Sequence, residues 1–174
     1  MIRCKQAIHG YTRGEIMDYK KILVPFDGSK HALRAVKAAT GLIRGSEDTT
    51  MIILNVVSMS VAPTISESDP ILGSTPTYID YKDYENLYDD SLIKQRDKMI
   101  KDVTGEYPDL PKNQVEFDTI AHPSPVQGII EYCETHNCDL IVMGRRGLGA
   151  IRGAFGSVSS GILRSTDLPV LTVK

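Results

Sequence analysis

Six of the chain's fourteen glycines fall in one short stretch: Gly144, Gly147, Gly149, Gly153, Gly156 and Gly161. Arg145, Arg146 and Arg152 stand among them, and Ser157 and Ser159 close the stretch. Glycine lets backbone N–H groups turn inward and lets a bulky anion approach the main chain. The run Leu140-Ile141-Val142-Met143 before it is apolar and of strand length. Val158, Ile162 and Leu163 after it have helical spacing, with Ser157 placed to cap the helix. A strand, a glycine loop and a helix N-terminus together make a phosphate site. Ser157 and Ser159 would add hydroxyl donors. A tight surface loop is glycine-rich too, but the arginines and the serine-capped exit favour phosphate. A second candidate is Asp27, which follows Lys21-Ile22-Leu23-Val24-Pro25-Phe26. It stands at the C-terminal end of a strand, where open α/β sheets bind ligands. A turn-forming carboxylate is its plainer reading.

The elements that must position these groups alternate along the chain. Lys21–Phe26 is apolar on both faces and reads as a central strand. Ser29 caps a helix whose inner face is Ala32, Ala35, Val36, Ala39 and Ile43. Met51–Val57 is a second buried strand. Residues Ser58 to Lys82 form a long polar connection of a kind usually functional or disordered. Tyr84 to Val103 returns to helical spacing, and Val115–Ile120 alternates as a half-exposed third strand. Ser124-Pro125-Val126-Gln127 reads as a capping box opening a helix with Val126, Ile129, Ile130 and Cys133 inward. Asp139–Met143 is the fourth strand and Val170–Val173 the fifth. Such alternation predicts a parallel sheet with helices on both faces and right-handed crossovers. Met1 to Glu15 shows neither period nor caps, and Met17 stands just before the patterning begins. Residues 1–17 are therefore expected to lie outside a single domain spanning 18–174.

Composition narrows the function. A net charge of -2 provides no basic field for nucleic acid or an anionic membrane. No apolar run approaches the ~20 residues of a membrane span. Three cysteines without framework spacing suit a reducing cytoplasm. Cys133, His136 and Cys138 are close in sequence, but Cys133 fits a helix's core face and no fourth ligand is near, so packing is favoured over metal.

These motifs together resemble the universal stress protein family. Val24-Pro25-Phe26-Asp27-Gly28-Ser29 before an alanine-rich helix is similar to its opening. Asp139 to Gly147 is similar to its fourth strand and loop, and Gly156 to Ser159 and Leu168 to Val173 to its ending. The resemblance implies an adenine-nucleotide-binding α/β domain: an open five-stranded parallel sheet of order 3-2-1-4-5, Rossmann-like. It implies ATP or AMP as ligand, with room for Mg2+ bound through the phosphates, and a stress-response signalling or regulatory role. Asp27 and Val56, beside the strand-end residues Pro25 and Met143, would lie on the adenosine side. Gly144, Arg145 and Gly147 would line the ribose and phosphates, and Gly156, Ser157, Val158 and Ser159 would hold the distal phosphates. One departure stands out: eight residues separate Gly147 from Gly156, where the family usually has nine.

Other classes fit less well. A P-loop needs a lysine-containing GxxxxGK[ST] loop, which is absent. A nucleotide-hydrolysing or adenylyl-transferring enzyme of related topology needs His pairs or lysine clamps on the phosphates. The four histidines are scattered. A binding module with at most slow hydrolysis is therefore favoured over an enzyme or an empty structural dimer. Val170-Leu171-Thr172-Val173, apolar and expected at a sheet edge, predicts a homodimer through this strand.

Overall fold

The computed structural model describes residues 19–44, 46, 48–58, 81–148 and 155–174, with backbone alone at 81–88. The expectations for residues 1–17 and for nearly all of the Ser58–Lys82 connection lie outside these residues. Five strands form one sheet: β1 (Lys21–Pro25), β2 (Thr50–Val57), β3 (Val115–Ala121), β4 (Leu140–Gly144) and β5 (Val170–Val173). Four helices connect them in turn: α1 (Lys30–Ile43), α2 (Tyr81–Glu106), α3 (Pro125–His136) and α4 (Ser157–Ser165). The strand order is β3-β2-β1-β4-β5 and every pair is parallel, as predicted.

The apolar runs settle at the centre for a simple reason. Ile22, Leu23 and Val24 of β1 and Ile141 and Val142 of β4 are fully buried, because both faces of the sheet are covered. On one face Ile22, Val24, Ile53 and Val142 pack with Ala32, Ala35, Val36 and Ala39 of α1 and Met99 and Val103 of α2. On the other, Leu23, Ile52, Leu54 and Ile141 pack with Ile129, Ile130 and Cys133 of α3 and Ile162 of α4. The alternation along each strand thus sends successive side chains to two separate cores. β3, at an edge, is only half-buried, as its alternating sequence predicts.

The helix starts are set by local chemistry. Ser29 Oγ accepts from Ala32 N–H at 3.1 Å, and Ser124 Oγ accepts from Gln127 N–H at 3.3 Å with Pro125 opening α3. At α4 the expectation needs correcting. Gly156 is the N-cap, Ser157 is already helical, and no side chain caps this helix. Leu163 also differs, being 44% exposed rather than part of the inner face. Over nine residues the inward stripe is taken by Ser159 and Ile162, and Leu163 falls about 100° round from Ile162.

Candidate functional site

The C-terminal ends of β1, β2 and β4 open into a cleft of about 510 Å³. In strand order the chain moves outward one way from β1 to β2 and the other way from β1's neighbour β4 to β5. The loops leaving β1 and β4 therefore diverge to opposite faces and leave a crevice between them, the usual ligand position in open α/β sheets.

One part of the cleft is apolar. Pro25 ends β1 and Phe26 follows it, Leu54 and Val56 come from β2, Ile129 from α3 and Met143 from β4. The other part is lined by Asp27, Gly144, Arg146, Gly147, Leu148, Phe155 and the residues Gly156 to Ser159. The charged residues among the described lining are Asp27 and Arg146.

Asp27 ties the two loops together. One carboxylate oxygen accepts from Ser29 N–H at 2.9 Å, which forms the turn into α1. The other accepts from Leu148 N–H at 3.2 Å, across the cleft mouth in the glycine loop. Both readings of Asp27 therefore meet in one residue: it forms the turn and it lines the pocket. At Gly147 a β-carbon would run into the Asp27 carboxylate, so a side chain there would displace that carboxylate from its bond across the cleft. Gly144 meets a different neighbour. Its β-carbon would lie 2.8 Å from the carbonyl carbon and Cβ of His31, so α1 reaches this close to β4 only over a bare backbone.

The loop is pinned at both ends. Arg145 N–H donates to Val173 C=O at 2.8 Å, continuing the β4–β5 ladder, and Gly156 N–H donates to Arg145 C=O at 3.0 Å. Gly156 thus spends its own N–H on closing the loop. The donors that α4 presents are the N–H groups of Ser157, Val158 and Ser159, which have no intrahelical acceptor in a first helical turn. Intrahelical bonding begins with Ser160 N–H to Gly156 C=O at 2.9 Å. The Ser159 hydroxyl, buried, donates to Gly144 C=O at 2.9 Å. It anchors the helix start to the end of β4, and the exposed Ser157 keeps the hydroxyl that faces outward.

Of the residues singled out in the sequence, Pro25, Asp27, Val56, Met143, Gly144, Gly147, Gly156, Ser157, Val158 and Ser159 come together around this cleft. Arg145 does not line it. Its guanidinium lies over the Phe155 ring, 5.5 Å from the centroid, while Arg146 lines the cleft in its place. The chain leaves β4 at Gly144 and bends at Arg145, so neighbouring arginines part company. Phe26, Leu54, Ile129, Leu148 and Phe155 were not foreseen as lining residues. Phe155, the one aromatic side chain in the glycine stretch, carried a signal that could have found it. His136 is engaged by Tyr132: its ring stacks on Tyr132 at 3.7 Å and its Nδ1 lies 2.9 Å from Tyr132 C=O. Among the described residues no three His, Cys, Asp or Glu side chains gather into a metal site, and no helix is long and apolar enough to cross a membrane.

A parallel doubly wound sheet of order β3-β2-β1-β4-β5, with a cleft at its strand ends and a helix start without a side-chain cap, defines an open α/β domain. Within that class the chain belongs to the universal stress protein family, whose model matches residues 18–174. It is 28% identical over 162 residues to a universal stress protein of Methanocaldococcus jannaschii, covering 90% of this chain and 82% of that protein. Among solved structures, the universal stress protein UspA from Lactobacillus plantarum superposes with a TM-score of 0.65 at 23% identity, over 90% of this chain and 98% of that one. A universal stress protein in complex with cAMP gives a TM-score of 0.53 at 22% identity, over 90% and 97% of the two chains. The universal stress protein from Archaeoglobus fulgidus in complex with dAMP gives 0.52 at 16% identity, over 91% and 100%.

Proposed function

We propose that the cleft binds an adenine nucleotide, ATP or AMP, and that the protein is a stress-response signalling or regulatory module of the cytoplasm. The observation that carries this reading is the start of α4. Uncapped N–H donors, the positive end of a helix dipole and Arg146 meet at one end of a cavity whose other end is apolar. An adenine nucleotide has the same polarity, with a flat heterocycle at one end and anionic phosphates at the other. The cAMP and dAMP complexes of proteins with this fold support the reading.

In this arrangement Val56, Pro25 and Met143 pack against the adenosine, and Asp27 accepts hydrogen bonds from it. Gly144 and Gly147 lie under the ribose and phosphates, and the N–H groups of Ser157 to Ser159 hold the phosphates with Arg146. Mg2+, when present, is held through the phosphates, since Asp27 is the one carboxylate in the described lining. The described lining contains no histidine or lysine, which supports binding over phosphoryl or adenylyl transfer. Isothermal calorimetry with ATP and AMP tests the reading, and heats indistinguishable from dilution with both would end it. Ser157→Ala removes one exposed hydroxyl and leaves the backbone donors, so it should weaken binding by only about 1–2 kcal/mol. A far larger loss would put the phosphates on the side chain instead of the main chain.

We also propose a homodimer through β5. This strand pairs with β4 on one side and forms an edge of the described sheet. Leu171 is 42% exposed there. An apolar edge with unpaired N–H and C=O groups favours an antiparallel partner about a two-fold axis. The double variant Leu171→Pro, Val173→Glu should give a folded monomer by light scattering and circular dichroism. A dimer that survived both changes would place the interface elsewhere.

A further inference from the structure

The end of α3 is closed by a reverse turn whose contact pair is two thiols. Asn137 adopts the left-handed conformation, with φ 54° and ψ 47°. Its N–H donates to Glu134 C=O at 3.3 Å, and Cys138 N–H donates to Cys133 C=O at 2.9 Å. These two bonds are the Schellman closure, which sets the side chains of the first and last residues of the turn against one another. An apolar pair commonly fills those positions. Here they are Cys133 and Cys138, both buried as free thiols in the core between α3 and the sheet.

We propose that Cys133 and Cys138 form a reversible dithiol–disulfide couple, oxidised by hydroperoxides, at the end of β4 opposite the nucleotide cleft. Cys138 leads directly into β4, whose far end is Gly144. The backbone bonds of the turn already hold the two residues together, so closing the sulfurs to a bond of about 2 Å is a side-chain movement.

The two thiols differ in role. The neighbouring Cys133 thiol holds the Cys138 thiol below its ordinary value. Burial opposes that shift, the Lys21 ammonium on β1 adds to it, and the Asp139 carboxylate opposes it. The Cys138 thiol in turn pushes Cys133 up, reinforced by burial and by the charges of Cys138 and Glu134. Cys138, 6% exposed against 1% for Cys133, is also the more accessible. The Cys138 thiolate therefore attacks the peroxide oxygen, the O–O bond breaks, and the leaving oxygen departs as water or an alcohol after taking a proton. The sulfenic acid left on Cys138 is then attacked by the Cys133 sulfur. The S–S bond forms, the S–O bond breaks, and the hydroxyl leaves as water with the Cys133 proton. Two thiols lose two electrons and one hydroperoxide gains them.

The test uses the full chain carrying Cys4→Ser, which removes the third cysteine. Native protein is treated with hydrogen peroxide, alkylated, digested and mapped by mass spectrometry. The expected product is a peptide pair linked through Cys133 and Cys138, about 2 Da lighter than the two thiols and restored by dithiothreitol. With Cys133→Ala added, dimedone should trap sulfenic acid on Cys138. With Cys138→Ala added, Cys133 should stay reduced. Thiols that remain unlinked in folded protein, or link only in denaturant, would overturn the couple, and this readout needs no further variant. Oxidation of Cys133 in the absence of Cys138 would overturn the assignment of roles.

Discussion

Gly156→Val is expected to weaken adenine-nucleotide binding by about a hundredfold, roughly 3 kcal/mol, while the protein stays folded. Gly156 precedes the three N–H donors of α4 and itself lines the cleft. Its backbone is extended, with φ -67° and ψ 155°, so glycine is not needed there for conformation. A β-carbon would sit 3.4 Å from Arg146 Cα and Gly147 N, in ordinary contact. The protein alone therefore tolerates one carbon at this position, and alanine is the control: Gly156→Ala should fold normally and bind within a few-fold of the parent. The two γ-carbons of valine extend into the space a phosphate needs to reach the N–H groups, and a charge-assisted hydrogen bond lost to distance costs about 1.5–3 kcal/mol each. Calorimetry checks both variants. Unchanged affinity for Gly156→Val would remove the phosphates from this helix start.

Gly144→Ala should act on the fold instead. Its β-carbon would meet the main chain of His31, at 2.8 Å from the carbonyl carbon and 3.0 Å from the oxygen. A flexible side chain could swing aside, but the first turn of α1 cannot, since Ser29 Oγ and its own backbone bonds hold it. Overpacking of this kind costs about 1–3 kcal/mol. The denaturant midpoint should fall by a matching amount with an unchanged slope. A wild-type midpoint would mean that α1 can lift from β4 without penalty. The two variants thus separate the glycine that helix packing requires from the one the proposed phosphate contact requires.

The sequence alone determined the class of sheet, parallel with helices on both faces, while its strand order came with the family resemblance. Apolar runs of strand length alternating with helical patterns admit few arrangements once crossovers must be right-handed, and the order β3-β2-β1-β4-β5 is among them. Ser29 and Ser124 were legible as caps because capping depends on a residue and its neighbours within one turn. Most of the cleft was legible too, because strand ends and a glycine loop are local features. The tertiary structure decided whatever depended on distant partners. Ser157 looked like the cap of α4, but Gly156 holds that place, because its N–H is drawn to Arg145 C=O, eleven positions back. Ser159 looked like a phosphate donor, yet its proton goes to Gly144 C=O. Which of two adjacent arginines lines the cleft followed from where the chain leaves β4 beside β5. Asp27 was ambiguous in sequence because the second oxygen of its carboxylate binds a loop 121 positions away. Short-range hydrogen bonds and side-chain periodicity are written in neighbouring residues; long-range ones exist only after the sheet has brought its strand ends together.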